Sequence, residues 1–129
     1  MTTASDILII EDDAILRDLL SDWLEAAGYR VRVAAEGSAG LAKVRDHPPA
    51  LVVTDIHMPC ADGATVIAEL KQTCPAIPVI AISGRFRCGG GLTPEGAIAL
   101  GAARALCKPF KRNEMVEAVA KLLGPPPAG

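Results

Sequence analysis

Apolar positions along the chain fall into short solid blocks and longer helical periodicities that alternate with one another. Ile7-Leu8-Ile9-Ile10 is too short for a helix and rich in β-branched side chains, which predicts a buried strand. Over residues 14–27, Ile15, Leu16, Leu19, Leu20, Trp23, Leu24 and Ala27 recur at i, i+3 and i+4, an amphipathic helix that Gly28 ends. Val31 and Val33 alternate with Arg30 and Arg32, the pattern of a strand with one wet face near a sheet edge. Residues 37–46 read as a second helix, stopped by His47-Pro48-Pro49 because proline cannot continue it. Leu51-Val52-Val53-Thr54 is another buried strand, and a loop through Pro59 and Asp62-Gly63 leads to a helix over 64–72. Cys74-Pro75 breaks that helix, and Ile77–Ile82 forms a fourth strand. Residues 84–92 hold four glycines and two arginines and are irregular. Thr93-Pro94-Glu95 opens a short helix, with Thr93 as N-cap and Pro94 at the first helical position. Gly101 ends it, Ala103–Cys107 is a fifth strand, and 111–123 the last helix before the tail Gly124-Pro125-Pro126-Pro127.

Five β-α units in strict alternation predict an α/β fold, a doubly wound five-stranded parallel sheet with right-handed crossovers and helices on both faces. Such sheets bind ligands at the carboxyl ends of their strands. Composition narrows the picture further. The 129 residues include 22 alanines but only four aromatics, so one small-sided domain is expected. A net charge of −2, with no Lys/Arg-rich run, argues against nucleic-acid binding. No apolar stretch approaches membrane-spanning length and Met1–Asp6 lacks the features of a signal peptide, so a cytoplasmic location and no membrane partner are expected. Cys60, Cys74, Cys88 and Cys107 lie 14, 14 and 19 residues apart, and His47 and His57 form no ligand pair with them. Isolated reduced thiols fit better than a disulfide framework or a zinc site.

The chemistry collects at the strand ends. Glu11, Asp12 and Asp13 follow the first strand, Asp55 ends the third, Ser83 the fourth, and Lys108 follows the fifth. Any one of these is an ordinary cap, turn or solvated residue; acidic residues after a strand often simply start a helix. All of them at one end of one sheet form a carboxylate cluster with a hydroxyl and an ammonium. Clustered carboxylates call for a hard cation such as Mg²⁺, and the lysine and hydroxyl suit the oxygens of a phosphoryl group.

Four segments carry a resemblance: Ile7–Asp13, Thr54-Asp55-Ile56-His57-Met58-Pro59-Cys60-Ala61-Asp62-Gly63, Ile82-Ser83-Gly84, and Gly101-Ala102 on to Lys108-Pro109-Phe110. In this order and spacing the chain resembles a response-regulator receiver domain over about residues 6–123, with tails at 1–5 and 124–129. The resemblance implies the flavodoxin-like (βα)5 receiver fold and a single-domain regulator without an output domain. Asp55 becomes the phosphoacceptor, a role in signalling rather than in enzymatic turnover. Glu11, Asp12, Asp55 and the backbone carbonyl of His57 become the Mg²⁺ ligands, with Asp13 one place beyond the acidic pair. Ser83 and Lys108 would bind phosphoryl oxygens, and the Lys108–Pro109 bond would be cis. The implied partners are a sensor histidine kinase or histidine phosphotransfer protein and a downstream target, with the chain a monomer or weak dimer. Ala103–Leu123 is the expected target surface.

Two departures stand out. The family usually places an aromatic residue three positions before the lysine; here that position is Ala105, so the inward-turning ring is missing. Lys108 lies 25 positions after Ser83, about three more than the resemblance leads one to expect, with Gly89-Gly90-Gly91 the natural site of the extra length. The stretch Gly84–Leu92 is therefore expected to be mobile, and Phe86, between Arg85 and Arg87, to supply either the missing aromatic or a partner contact. His57 and Arg85, each two residues past a site residue, are expected to tune the lifetime of the aspartyl phosphate. Cys60 and Cys88 fall near the same mouth as free cysteines.

Three other readings compete. A flavin carrier needs glycine or hydroxyl residues in its first loop, where Glu11-Asp12-Asp13 would repel a phosphate. An aspartyl-phosphate hydrolase needs an acid two residues after its nucleophile, where His57 stands. An interaction module that signals without phosphorylation is kept in play by Ala105 and opposed by the intact acidic pair, Asp55, Ser83 and Lys108.

Overall fold

The computed structural model describes residues 6–58, 61–83, 94–108 and 110–124. In chain order the first half contains β1 (Asp6–Ile10), α1 (Ala14–Ala26), β2 (Arg30–Ala34), α2 (Gly37–Asp46) and β3 (Leu51–Asp55). The second half runs β4 (His57–Met58), β5 (Ala61–Asp62), α3 (Gly63–Thr73), β6 (Val79–Ser83), α4 (Pro94–Leu100), β7 (Arg104–Cys107) and α5 (Arg112–Leu123). The long strands form one parallel sheet in the order β2-β1-β3-β6-β7, as the alternating pattern predicts.

Strand alternation divides the core in two. Leu8, Ile10, Val52, Val79 and Ala81 pack with Val44 of α2, Val66, Ile67 and Leu70 of α3 and Ala97 of α4. Ile7, Ile9, Leu51, Val53, Ile80 and Ile82 face the other way, onto Leu20 and Leu24 of α1 and Met115, Ala118 and Val119 of α5. β1, β3 and β6 are buried on both faces, which is why each reads as a solid apolar block rather than an alternating one. Trp23 of α1 lies edge-on to Phe110, ring centroids 6.4 Å apart, beside a cleft of about 240 Å³ between α1 and α5. Gly28, at φ 104°, turns the chain from α1 toward β2. The Tyr29 hydroxyl then donates to the Gly124 carbonyl at 3.1 Å and ties the end of α5 to this corner.

Three expectations need correction. Residues 57–62 carry a small antiparallel pair, His57 opposite Asp62 and Met58 opposite Ala61, rather than loop alone. β6 begins at Val79, not Ile77: the Ile77 amide closes a turn onto the Cys74 carbonyl, and Pro78 has no N–H to give a ladder. β2 is an edge strand as expected, but its wet and dry sides do not follow the Arg/Val alternation. Arg32 is half-buried, donating from Nε and Nη2 to the Asp6 carboxylate at 3.3 and 3.1 Å and from Nη2 to the His47 carbonyl at 2.6 Å, whereas Val33 is 38% exposed. Asp6 is buried at the start of β1, and an unpaired charge there would be costly, so it draws the guanidinium in. The expected N-cap Thr93, the stretch Gly84–Leu92, and Cys60 and Cys88 lie outside the described residues.

α2 approaches the sheet closely through Gly37 and Gly40, buried on its inner side with Val44. A β-carbon on Gly40 would collide with Cγ1 and Cδ1 of Ile10, itself fully buried. Gly40→Ala should therefore cost about 1–2 kcal/mol in urea unfolding, overpacking outweighing the better helix propensity of alanine. Adding Ile10→Val, which removes Cδ1, should recover part of that loss.

Candidate functional site

The strand order reverses between β1 and β3: α1 leaves β1 on one face, and α3 follows β3 on the other. The crevice at their carboxyl ends receives the residues singled out from the sequence. Glu11 extends the β1–β2 ladder by one bond, its amide donating to the Ala34 carbonyl at 3.0 Å. Asp55 ends β3 in register with Ile82, and the next amide, that of Ile56, bonds the Ile82 carbonyl at 3.1 Å. Ser83 ends β6 opposite Cys107. Its carbonyl accepts from the Lys108 amide at 2.9 Å, which sets Lys108 beside it. Glu11, Asp55 and Ser83 are buried; Asp12 is exposed.

Asp13 has a different task from its two acidic neighbours. Its carboxylate accepts from the Ile15 and Leu16 amides at 3.0 and 3.4 Å and caps α1, while its own amide donates to Glu11 Oε2 at 3.0 Å. The third carboxylate of the acidic run is thus engaged by the helix. Oxygens of Glu11, Asp12 and Asp55 come within 4.8 Å of one another.

Lys108 Nζ bridges two of these carboxylates, 2.7 Å from Asp55 Oδ2 and 3.3 Å from Glu11 Oε1. Burial works against the ammonium, but its hydrogen bond to Asp55 and the charges of Asp55 and Glu11 outweigh that and hold its pKa above the ordinary lysine value. Burial is the main cause that pushes the Glu11 carboxyl up to about 7; the Asp13 amide opposes this, and the nearby Asp55 charge adds to it. One ammonium cannot neutralise three carboxylates. An all-oxygen set with surplus negative charge and one solvent-facing member, Asp12, fits a hard divalent cation that keeps some of its water.

The remaining positions are distributed unevenly. The backbone of His57 lies in β4, directly after the Asp55-Ile56 step. Ala105 is half-buried in β7 opposite Ala81, packed against the core beneath α2, α3 and α4. Arg85, Phe86 and Pro109 lie outside the described residues. Two residues that border the site went unnoticed in the sequence. Thr54 is fully buried and donates from Oγ1 to the Asp55 carbonyl at 3.1 Å. Arg17 of α1 reaches back and donates from Nη1 to the Glu11 carbonyl at 3.0 Å. Both bond to backbone atoms, which leave no mark on residue types; a cation one turn into a helix that follows an acidic run was the only available signal.

Comparison with known proteins agrees with this geometry. Residues 7–120 match the family model of the response regulator receiver domain. The chemotaxis protein CheY of Bacillus subtilis is 36% identical over 121 residues, covering 93% of this chain and 98% of the relative. The transcriptional regulatory protein BaeR of Escherichia coli is 32% identical over 117 residues, 91% of this chain but 47% of that longer protein. Among solved structures, the receiver domain of NtrX from Brucella abortus superposes with a TM-score of 0.83 at 33% identity, covering 92% of this chain and 98% of that one. A CheY-like receiver from Methanospirillum hungatei does so at 0.83 with 25% identity. With its parallel sheet, acidic crevice and lysine assembled as described, the chain belongs to the response-regulator receiver domains of two-component systems.

Proposed function

We infer that Asp55 accepts a phosphoryl group from a phosphohistidine and that the domain signals through the protein contacts this changes. The observation that carries the reading is the Lys108 ammonium, 2.7 Å from Asp55 Oδ2 in a crevice with two further carboxylates. Transfer forms a bond between an Asp55 oxygen and phosphorus and breaks the donor's nitrogen–phosphorus bond, the imidazole leaving. Asp12, Asp55, Glu11 and the His57 carbonyl would hold Mg²⁺, which supplies positive charge opposite the phosphoryl oxygens. Lys108 follows the charge from the unphosphorylated carboxylate to the phosphorylated one, and Ser83, buried beside it, offers a hydroxyl to another phosphoryl oxygen. Water attack on the acyl phosphate later restores Asp55.

α1 presents the approach for a protein donor. Ile15 and Leu19, one turn apart on the helix that starts at the acidic loop, are 80% and 42% exposed. Apolar side chains at the rim of a charged crevice suit a helical partner that must bring its phosphohistidine to Asp55. A second reading, signalling without phosphorylation, is favoured only by Ala105, where no ring is available to move inward.

Incubation with Mg²⁺ and a small acyl phosphate should add one phosphoryl group to the wild-type mass and none to Asp55→Asn; an unmodified wild type would leave the second reading standing. Ile15→Asp should slow transfer from a phosphorylated histidine protein about tenfold, roughly 1.4 kcal/mol of barrier, yet leave labelling by the small donor within about twofold. The raised Glu11 pKa makes the metal-free fold bind more protons than the unfolded chain between pH 4.5 and about 7, so stability should fall as pH rises through that interval. Glu11→Gln should flatten that slope in pH-dependent urea titrations and weaken Mg²⁺ binding.

A further inference from the structure

The geometry points to Arg17 as a positioning residue for the metal-binding acidic loop, one that sets cation affinity without touching the cation. The inference rests on the reading of Glu11, Asp12 and Asp55 as the Mg²⁺ site. Three residues, Glu11-Asp12-Asp13, connect β1 to α1, and their tethers are unequal. Asp13 is held by its cap to Ile15 and Leu16 and by its amide bond to Glu11 Oε2. Glu11 is held at its amide by Ala34 and at its carboxylate by the Asp13 amide and Lys108. Its carbonyl is held by Arg17 Nη1, at 3.0 Å, from the second turn of α1.

That carbonyl matters because it shares a rigid peptide plane with the amide of Asp12. Fixing the Glu11 carbonyl fixes the plane from which Asp12 departs, and so the direction in which its exposed carboxylate enters the crevice. The Arg17 side chain is half-buried, and its own amide bonds the Asp13 carbonyl at 2.9 Å, so side chain and backbone brace opposite ends of the same loop. Groups that orient metal ligands from behind typically change affinity by tenfold or more when removed.

Charge and position make opposite demands here, which gives the test its sign. Removing a cation near three carboxylates would tighten binding of a divalent ion if electrostatics were all that Arg17 supplied. Removing a brace loosens it. Mg²⁺ titration of the full chain by calorimetry, beside urea unfolding of the metal-free protein, reads both effects. Arg17→Met, which keeps the aliphatic stem, should raise the Mg²⁺ Kd about tenfold, and Arg17→Lys, which restores one donor, should return it to within about threefold of wild type. A Kd unchanged or lowered in folded Arg17→Met overturns the proposal, as does a lowered urea midpoint with an unaltered Kd, the mark of a purely structural role. If Arg17→Met does not fold, Arg17→Gln, too short to reach the carbonyl, is read by the same criteria. Wild-type protein that binds no Mg²⁺, or an Asp12→Asn variant that binds as wild type, would instead refute the metal reading on which the inference stands.

Discussion

One ammonium shared by two buried carboxylates governs how this molecule is put together. Glu11 follows β1 and Asp55 ends the neighbouring β3, both almost sealed from solvent, and Lys108 reaches both from the end of β7. Isolated, either carboxylate would be expensive to bury; together they repel. The lysine offsets part of this, and it can do so only if β7 lies beside β6 in a register that sets Lys108 next to Ser83. Register, strand order and site charge are therefore one constraint. Among the described residues, the crevice is left with surplus negative charge.

The protein's small side chains follow from the same architecture. A sheet covered on both faces, in a chain with four aromatic residues, fills its volume by bringing helices close rather than by filling gaps with rings. The fit of Gly40 onto Ile10 is one example. Ala81 and Ala105, facing each other on β6 and β7, continue the theme at the position where relatives are expected to carry a ring.

Much of this was legible in the residue pattern because burial on both faces writes itself as solid apolar blocks. β1, β3 and β6 were plain from Ile7–Ile10, Leu51–Thr54 and Ile77–Ile82, and Gly28 and Pro48 marked helix ends. The acidic loop, Asp55, Ser83 and Lys108 were legible as a cluster because parallel topology sends all strand ends to one pole. What escaped were pairings that depend on three dimensions. The Arg32–Asp6 bond departs from the expected wet side of β2, since a charged side chain can be drawn inward by a partner 26 residues away. The division of labour between Asp12 and Asp13 needed the helix cap to be seen. Arg17 and Thr54 act on backbone carbonyls, which every residue possesses, so no choice of side chain announces them.

The edge-on contact of Trp23 with Phe110 has a spectroscopic consequence. Trp23 is the only tryptophan in the chain, and Phe110 lies two residues beyond the lysine of the site. Its emission comes from a single indole on the seam between α1 and α5, with no second fluorophore of its kind to average against. Any displacement of Lys108 that carries Phe110 with it changes the surroundings of that indole. The molecule thus holds a native optical probe of its own crevice, placed on the opposite face of the sheet from Ala105.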